Sequence, residues 1–266
     1  MMNNQNLKSL KILSIGNSFS MDTMEHLANV ALSLGYQSVK LGNLYIGGCS
    51  LNKHFYNAEN DLAAYRYFQN TGDGWRETPE HKISDALKEC DWDWISIQHG
   101  TKDKSRYTSV ESYEKLPALI EYVKGLAWSG AKIAFNMAWV AEPYSHHHEI
   151  TSYNGDQMLM YQSLLETTQA AVLPAKGLDV LSPTGTAIQN ARTTQLVDKL
   201  SRDGFHLSYI HGRYIASLTF LKALTGISID GIKWAPEGVS EGEKQLSVAA
   251  ANAAIETPFA ITPITI

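Results

Sequence analysis

The segment KILSIGNSFS, Lys11 to Ser20, sets an apolar run against a glycine, an asparagine and two serines. Ile12, Leu13 and Ile15 read as a short buried strand that stops at Gly16, and Met24, Leu27, Val30, Ala31 and Leu34 recur beyond it as a helix. A hydroxyl at such a strand-to-helix turn lies on the carboxyl edge of a sheet, beside the positive end of a helix. Open α/β sheets bind ligands there, and free backbone N–H groups can meet an anion. The same place is a helix N-cap, a duty that Ser18 or Ser20 could serve without any chemistry.

The alternation of strand and helix continues along the chain. SVKLGNLYIGG carries a second strand, Val39 to Tyr45, closed by paired glycines. DWDWISIQHG gives a third through Ile95 and Ile97, AKIAFNMAW a fourth through Ile133 and Phe135, and GLDVLSP a short fifth. Tyr113, Leu116, Leu119, Ile120 and Val123 mark a helix within Val110 to Leu126; others are expected over 156–173 and 185–200, and the last over Ser208 to Gly226. Asn52 to Glu80, polar and aromatic with Gly72, Gly74 and Pro79, reads as a long excursion from the core.

Five such alternations call for a parallel sheet covered on both faces. The expected fold is α/β: a doubly wound five-stranded parallel sheet with helices on both faces, flavodoxin-like in order, forming one domain over residues 1–266. About residues 1–9 read as a polar tail. The chain after Ile227, with Pro236, Pro258 and Pro263, is expected to pack as an extended surface segment. No repeat recurs at the period of a solenoid.

With 266 residues the chain can bury a substantial core without disulfides or metal. Its 22 Lys+Arg against 27 Asp+Glu leave no basic block, so nucleic acid is not an expected partner. Cys49 and Cys90 form no CxxC and read as small buried hydrophobes. The start MMNNQNLKSLKILSIG lacks the apolar centre and cleavage site of a secretory leader, and no run has the length of a membrane span. The expectation is a cytoplasmic protein with no membrane association, with export left open. Nothing calls for a cofactor, and no feature specifies an oligomeric state.

Four segments carry the chemistry: GNSFS, IGGCS and SIQHG, each at the end of an expected strand, and RDGFHLS, just before a helix. The topology brings them to one edge. Asp203 and His206 stand three apart, close enough for the carboxylate to accept from the imidazole Nδ1–H and leave Nε2 free as a base. A serine is a poor nucleophile until such a base takes its proton.

In order and setting these blocks resemble the SGNH (GDSL-type) hydrolase superfamily over nearly the whole chain. Gly16, Asn17 and Ser18 match its GDS block, Gly48 the glycine after the second strand, Gln98 the third-block asparagine, and Asp203 with His206 the DxxH block. The resemblance implies a serine hydrolase in which Ser18, rather than Ser20, is the nucleophile, His206 the base and Asp203 its orienting acid. It also implies an oxyanion hole from the N–H groups of Ser18 and Gly48 with the Gln98 amide. Two departures stand out: Asn17 in place of aspartate, at a position beside the nucleophile but outside the triad, and Gln98 in place of asparagine. Some carbohydrate-acetylesterase branches also use glutamine there.

Other candidates follow from position. Trp139, Glu142 and Tyr144 in NMAWVAEPYS succeed the fourth strand on the same edge and could line a pocket or simply cover core. His146, His147 and His148 in SHHHE lack metal-ligand spacing and read as a solvated loop, so no metal site is expected. His99 alternates away from Gln98, His54 reads as a packing residue, and Arg192 and Arg213 serve equally as structural ion pairs. Two functional classes result. The first is an esterase removing a small acyl group, such as acetyl, from a carbohydrate or similar polar ester, with lipase- or thioesterase-like specificity as its variant. The second is a non-catalytic carbohydrate-binding module on the same fold, which has no chemical reason to keep Ser18, Asp203 and His206 together.

Overall fold

Leu10 and Ile12 alternate with Leu13 and Ile15 along the first strand, and all four are buried. A strand with both faces covered belongs at the centre of a two-sided sheet. A computed structural model of the chain describes residues 9–102 and 105–265 and puts it there. The expected polar tail lies outside the described residues, save Ser9, which opens the strand.

In chain order the elements are β1 (Ser9–Gly16), α1 (Ser18–Met24), α2 (Leu27–Ser33), β2 (Ser38–Tyr45), α3 (Leu51–Glu59), β3 (Tyr65–Asn70), β4 (Trp75–His81), α4 (Ile83–Lys88) and β5 (Trp94–Ile97). Then come α5 (Leu116–Leu126), β6 (Lys132–Asn136), α6 (His148–Thr151), α7 (Gln157–Thr167), β7 (Val180–Ser182), α8 (Thr184–Arg192), α9 (His211–Thr225) and α10 (Glu241–Glu256).

The sheet has seven strands in the order β4-β3-β2-β1-β5-β6-β7. The five expected strands, β2-β1-β5-β6-β7, pair in parallel throughout, and their sequence of neighbours is the flavodoxin-like one. The expectation of five strands, all parallel, is corrected by β3 and β4, which add to the β2 edge as an antiparallel hairpin. They arise from the polar excursion: Tyr65 and Tyr67 point inward with Arg66 between them facing solvent, while β4 is almost entirely exposed. That is the polar, proline-bearing strand an exposed sheet edge favours.

Leu13 and Ile15 pack under α3, α4 and α5 with Leu51, Leu87, Leu116 and Ile120. Leu10 and Ile12 face Leu27, Val30, Leu218 and Leu221 of α2 and α9 on the other side. The chain after Ile227 also departs from expectation, because Glu241–Glu256 is a helix packed on α8 and α9. Ser240 and Glu243 form its capping box, each side chain bonding the other's backbone N–H. No helix among the described residues is long and apolar enough to cross a membrane.

β1 sends the chain to β2 on one side and later receives β5 on the other. The crevice between the carboxyl ends of β1 and β5 is therefore the topological switch point of the sheet, where open α/β folds place ligands.

Candidate active site

Gly16 ends β1, and Asn17 caps α1 with its side chain accepting the N–H of Phe19 at 2.9 Å. Ser18 is the first residue of the helix and turns its hydroxyl into the crevice. Ser20 is occupied elsewhere: its Oγ accepts the Asn17 N–H at 3.0 Å and lies 2.7 Å from the Asn17 carbonyl. A Cβ on residue 16 would stand 2.3 Å from that Oγ, so only glycine fits there. The two serines of GNSFS thus divide, one closing the turn and one facing the cavity.

Ser18 Oγ lies 3.1 Å from His206 Nε2, and His206 Nδ1 lies 2.6 Å from Asp203 Oδ2. The other carboxylate oxygen of Asp203 accepts the N–H groups of Phe205 and His206 at 2.9 and 2.7 Å. Partial burial works against the charge on Asp203. The hydrogen bonds from the His206 ring and from the two amides outweigh it and hold the carboxyl below its ordinary range. A carboxylate on Nδ1 fixes the proton there and leaves Nε2 as an acceptor toward Ser18.

The loop that carries Asp203 and His206 is anchored by residues with no motif of their own. Asp22, fully buried in α1, accepts from Arg202 at 2.9 Å, Arg213 at 2.8 Å and the Leu207 N–H at 3.0 Å. Trp139 donates its indole N–H to the Phe205 carbonyl at 2.8 Å from below. Their partners lie more than 60 positions away in sequence, so local pattern holds no trace of these contacts.

After β2 the chain turns at Gly48, whose φ of +65° lies in the left-handed region that glycine adopts without strain. Its carbonyl accepts from Lys102 N–H at 2.8 Å. Among the described residues no acceptor takes the N–H of Ser18 or of Gly48. Both belong to residues lining one cavity of about 370 Å³, walled also by Phe19, Tyr45, His147 and Phe205.

Several expected residues stand apart from this cavity. Gln98 is buried with its Oε1 accepting from Asn136 at 2.8 Å and its Nε2 turned to the His99 carbonyl at 3.4 Å. Its amide is tied into a polar chain across the ends of β5 and β6 and does not line the cavity. Trp139 is core, edge-on to Phe19 at 4.8 Å. Glu142 is buried in an ion pair with Arg192 at 2.8 Å. Tyr144 is exposed, beside Gly204. His99 and His54 are fully buried, and burial pushes both imidazoles down to about 3, which keeps them neutral.

His147 corrects the solvated-loop reading of SHHHE. Its ring stacks on Phe205 at 3.6 Å between centroids and 9° between planes, in the cavity wall. Its Nδ1 accepts the Glu149 N–H at 3.3 Å. Burial, then the neighbouring His148 and His206, lower its pKa to about 4. His146 and His148 remain exposed.

An open α/β sheet of flavodoxin-like order, with serine, histidine and aspartate in a hydrogen-bonded line at its switch point, defines the class of this protein. The chain belongs to the family described as "Domain of unknown function (DUF4886)", which matches residues 11–254. A crystal structure of a DUF4886 family protein from Bacteroides uniformis ATCC 8492 is 34% identical and superposes with a TM-score of 0.90, over 96% of this chain and 98% of that one. An acetylxylan esterase from Geobacillus stearothermophilus, crystallised as a catalytic mutant, is 15% identical with a TM-score of 0.50, over 88% and 100%. A putative GDSL-like lipase from Parabacteroides merdae ATCC 43184 aligns at 16% identity and a TM-score of 0.49, over 82% and 97%. The likeness to the acetylxylan esterase is one of fold. No curated protein matches the sequence.

Proposed function

We propose that the chain is a serine esterase of SGNH type that removes a small acyl group from a carbohydrate or similarly polar ester. The observation that carries this reading is the unbroken line from Ser18 Oγ through His206 to Asp203, at 3.1 and 2.6 Å. A serine that only caps a helix has no use for an imidazole whose other nitrogen is held by a carboxylate.

In this reading Ser18 Oγ attacks the ester carbonyl carbon while His206 Nε2 takes its proton. The carbonyl oxygen gains the negative charge and meets the N–H groups of Ser18 and Gly48, donors fixed in place before the reaction begins. Collapse of the tetrahedral intermediate breaks the bond to the alcohol, which leaves with the proton from His206. Water then attacks the acyl-serine by the same route, His206 taking its proton and returning it to Ser18. Asp203 holds the ring in the required tautomer and stabilises the imidazolium. Gln98 is left out of the oxyanion hole because its amide is committed to Asn136 and the His99 carbonyl.

The size and lining of the cavity support a short acyl group: about 370 Å³ serves acyl and alcohol together, with aromatic walls at Phe19, Tyr45 and Phe205. The shared fold with an acetylxylan esterase is consistent with acetyl on a sugar. The test is hydrolysis of p-nitrophenyl esters of increasing chain length beside acetate release from acetylated xylo-oligosaccharides. We expect kcat/KM to fall from acetyl to octanoyl, and Ser18→Ala and His206→Ala each to remove most turnover. The double mutant should be hardly slower than either, since groups acting as one unit are non-additive. Activity retained in Ser18→Ala would overturn the reading.

A further inference from the structure

Asn17 makes one more contact than a helix cap needs. It is 1% exposed, and its Oδ1 is committed to the Phe19 N–H. That bond fixes the orientation of the amide, because the acceptor end must face the helix. Nδ2 is thereby aimed at the neighbouring turn that follows β2, where it donates to the Cys49 carbonyl at 3.2 Å. Cys49 directly follows Gly48. Other bonds at the Gly48 turn run from Ile46 N–H to the Gly16 carbonyl at 3.2 Å, from Cys49 N–H to the Ile46 carbonyl at 3.1 Å, and from Lys102 N–H to the Gly48 carbonyl at 2.8 Å. The first of these joins the ends of β1 and β2 ahead of the two turns, and beyond it the Asn17 amide links the Ser18 turn to the far side of the Gly48 turn.

Resting on the esterase reading above, we infer that Asn17 is a positioning residue that sets the spacing of the oxyanion hole. Its side-chain amide bolts the Gly48 turn to the Ser18 turn, so that the two free N–H groups meet one oxygen. The choice of residue supports this. As a cap, aspartate serves as well as asparagine and serine nearly so. Neither can replace Nδ2: an ionised carboxylate has no donor, and it would be pressed against the Cys49 carbonyl in a buried place. A serine hydroxyl keeps the cap but is too short to reach the Cys49 carbonyl.

The test uses Asn17→Asp and Asn17→Ser, two substitutions that preserve the cap and remove the tie, with three measurements on the whole chain. Thermal melts should show both variants folded. Hydrogen–deuterium exchange over residues 45–51 should quicken in both relative to the unsubstituted protein. With p-nitrophenyl acetate, kcat should fall by roughly tenfold to a hundredfold with KM little changed, because the lost alignment matters only as charge develops on the carbonyl oxygen. A variant that merely weakened the helix would change the melt and leave kcat per folded molecule intact. Unchanged exchange over 45–51 overturns the tie, whether or not the protein turns over ester. Faster exchange with kcat within twofold overturns its catalytic role. An unsubstituted protein inert toward every ester tried overturns the esterase reading and the catalytic half of this inference with it, and the exchange data then decide the tie alone.

Discussion

Ser18 and Ser20 are chemically identical and two residues apart, yet their surroundings give them different work. The Oγ of Ser20 is held within its own turn by the Asn17 backbone; that of Ser18 meets an imidazole brought from 188 positions away. The motif GNS distinguishes the two in the sequence, and the DxxH spacing marks the imidazole that Ser18 meets. Gln98 is the opposite case. A glutamine at a strand end reads as an oxyanion donor by position, but its amide faces Asn136, a contact that depends on the packing of β5 against β6. We expect Gln98→Ala to leave kcat within a few fold and to lower stability by about 1 to 3 kcal/mol, the range for leaving a buried polar partner unsatisfied. A Michaelis curve and a denaturant titration on one variant check both. A fall in kcat approaching the roughly hundredfold typical of a lost oxyanion donor would return Gln98 to the site.

The elements divide by how strongly their residues speak locally. The parallel strands announce themselves as apolar runs, since strands buried on both faces must be apolar on both. The edge hairpin does not, because β4 is exposed along its length and needs only backbone pairing. The sign of α10 is present in the capping box of Ser240 and Glu243, overshadowed by the prolines on either side. The anchoring of the Asp203–His206 loop to α1 is invisible in sequence, as it joins Asp22 to arginines 180 and 191 positions away. Asp22→Ala takes the carboxylate partner from Arg202 and the Leu207 amide, while Arg213 keeps only Glu25, at 3.1 Å; we expect a loss of about 3 to 5 kcal/mol in chemical denaturation, the range for breaking a buried ion pair. Activity should fall beyond the folded fraction, because the same loop carries His206.

A second prediction at this scale concerns Glu149 in α6. Its carboxyl is pushed up to about 7 by burial, against the opposing pull of Arg106 and the Thr108 hydroxyl. A carboxyl whose folded pKa is raised favours folding in its protonated form, so its stabilising contribution is complete below the ordinary carboxylate pKa and is lost as pH rises through about 7. Glu149→Gln should therefore melt higher than the unsubstituted protein at pH 8 and close to it at pH 5. A Tm difference that does not grow with pH would contradict the buried-carboxyl account.

For the whole molecule, the order β2-β1-β5-β6-β7 brings four sequence blocks, spread from Gly16 to His206, to one edge of one sheet. Doubly wound topology makes that convergence readable before any coordinate is known: the carboxyl ends of parallel strands share an edge, and the switch point selects β1 and β5. Contacts within the edge are not readable, because they depend on side-chain directions in loops such as 143–147, where His147 turns onto Phe205. The central claim is that Ser18 is an activated nucleophile, and reaction with a fluorophosphonate probe tests it most directly. Intact-mass analysis should show one adduct per chain, mapped by peptide sequencing to Ser18, and none in Ser18→Ala or after His206→Ala at matched times. No adduct on the folded protein, or an adduct that persists in Ser18→Ala, would contradict the account.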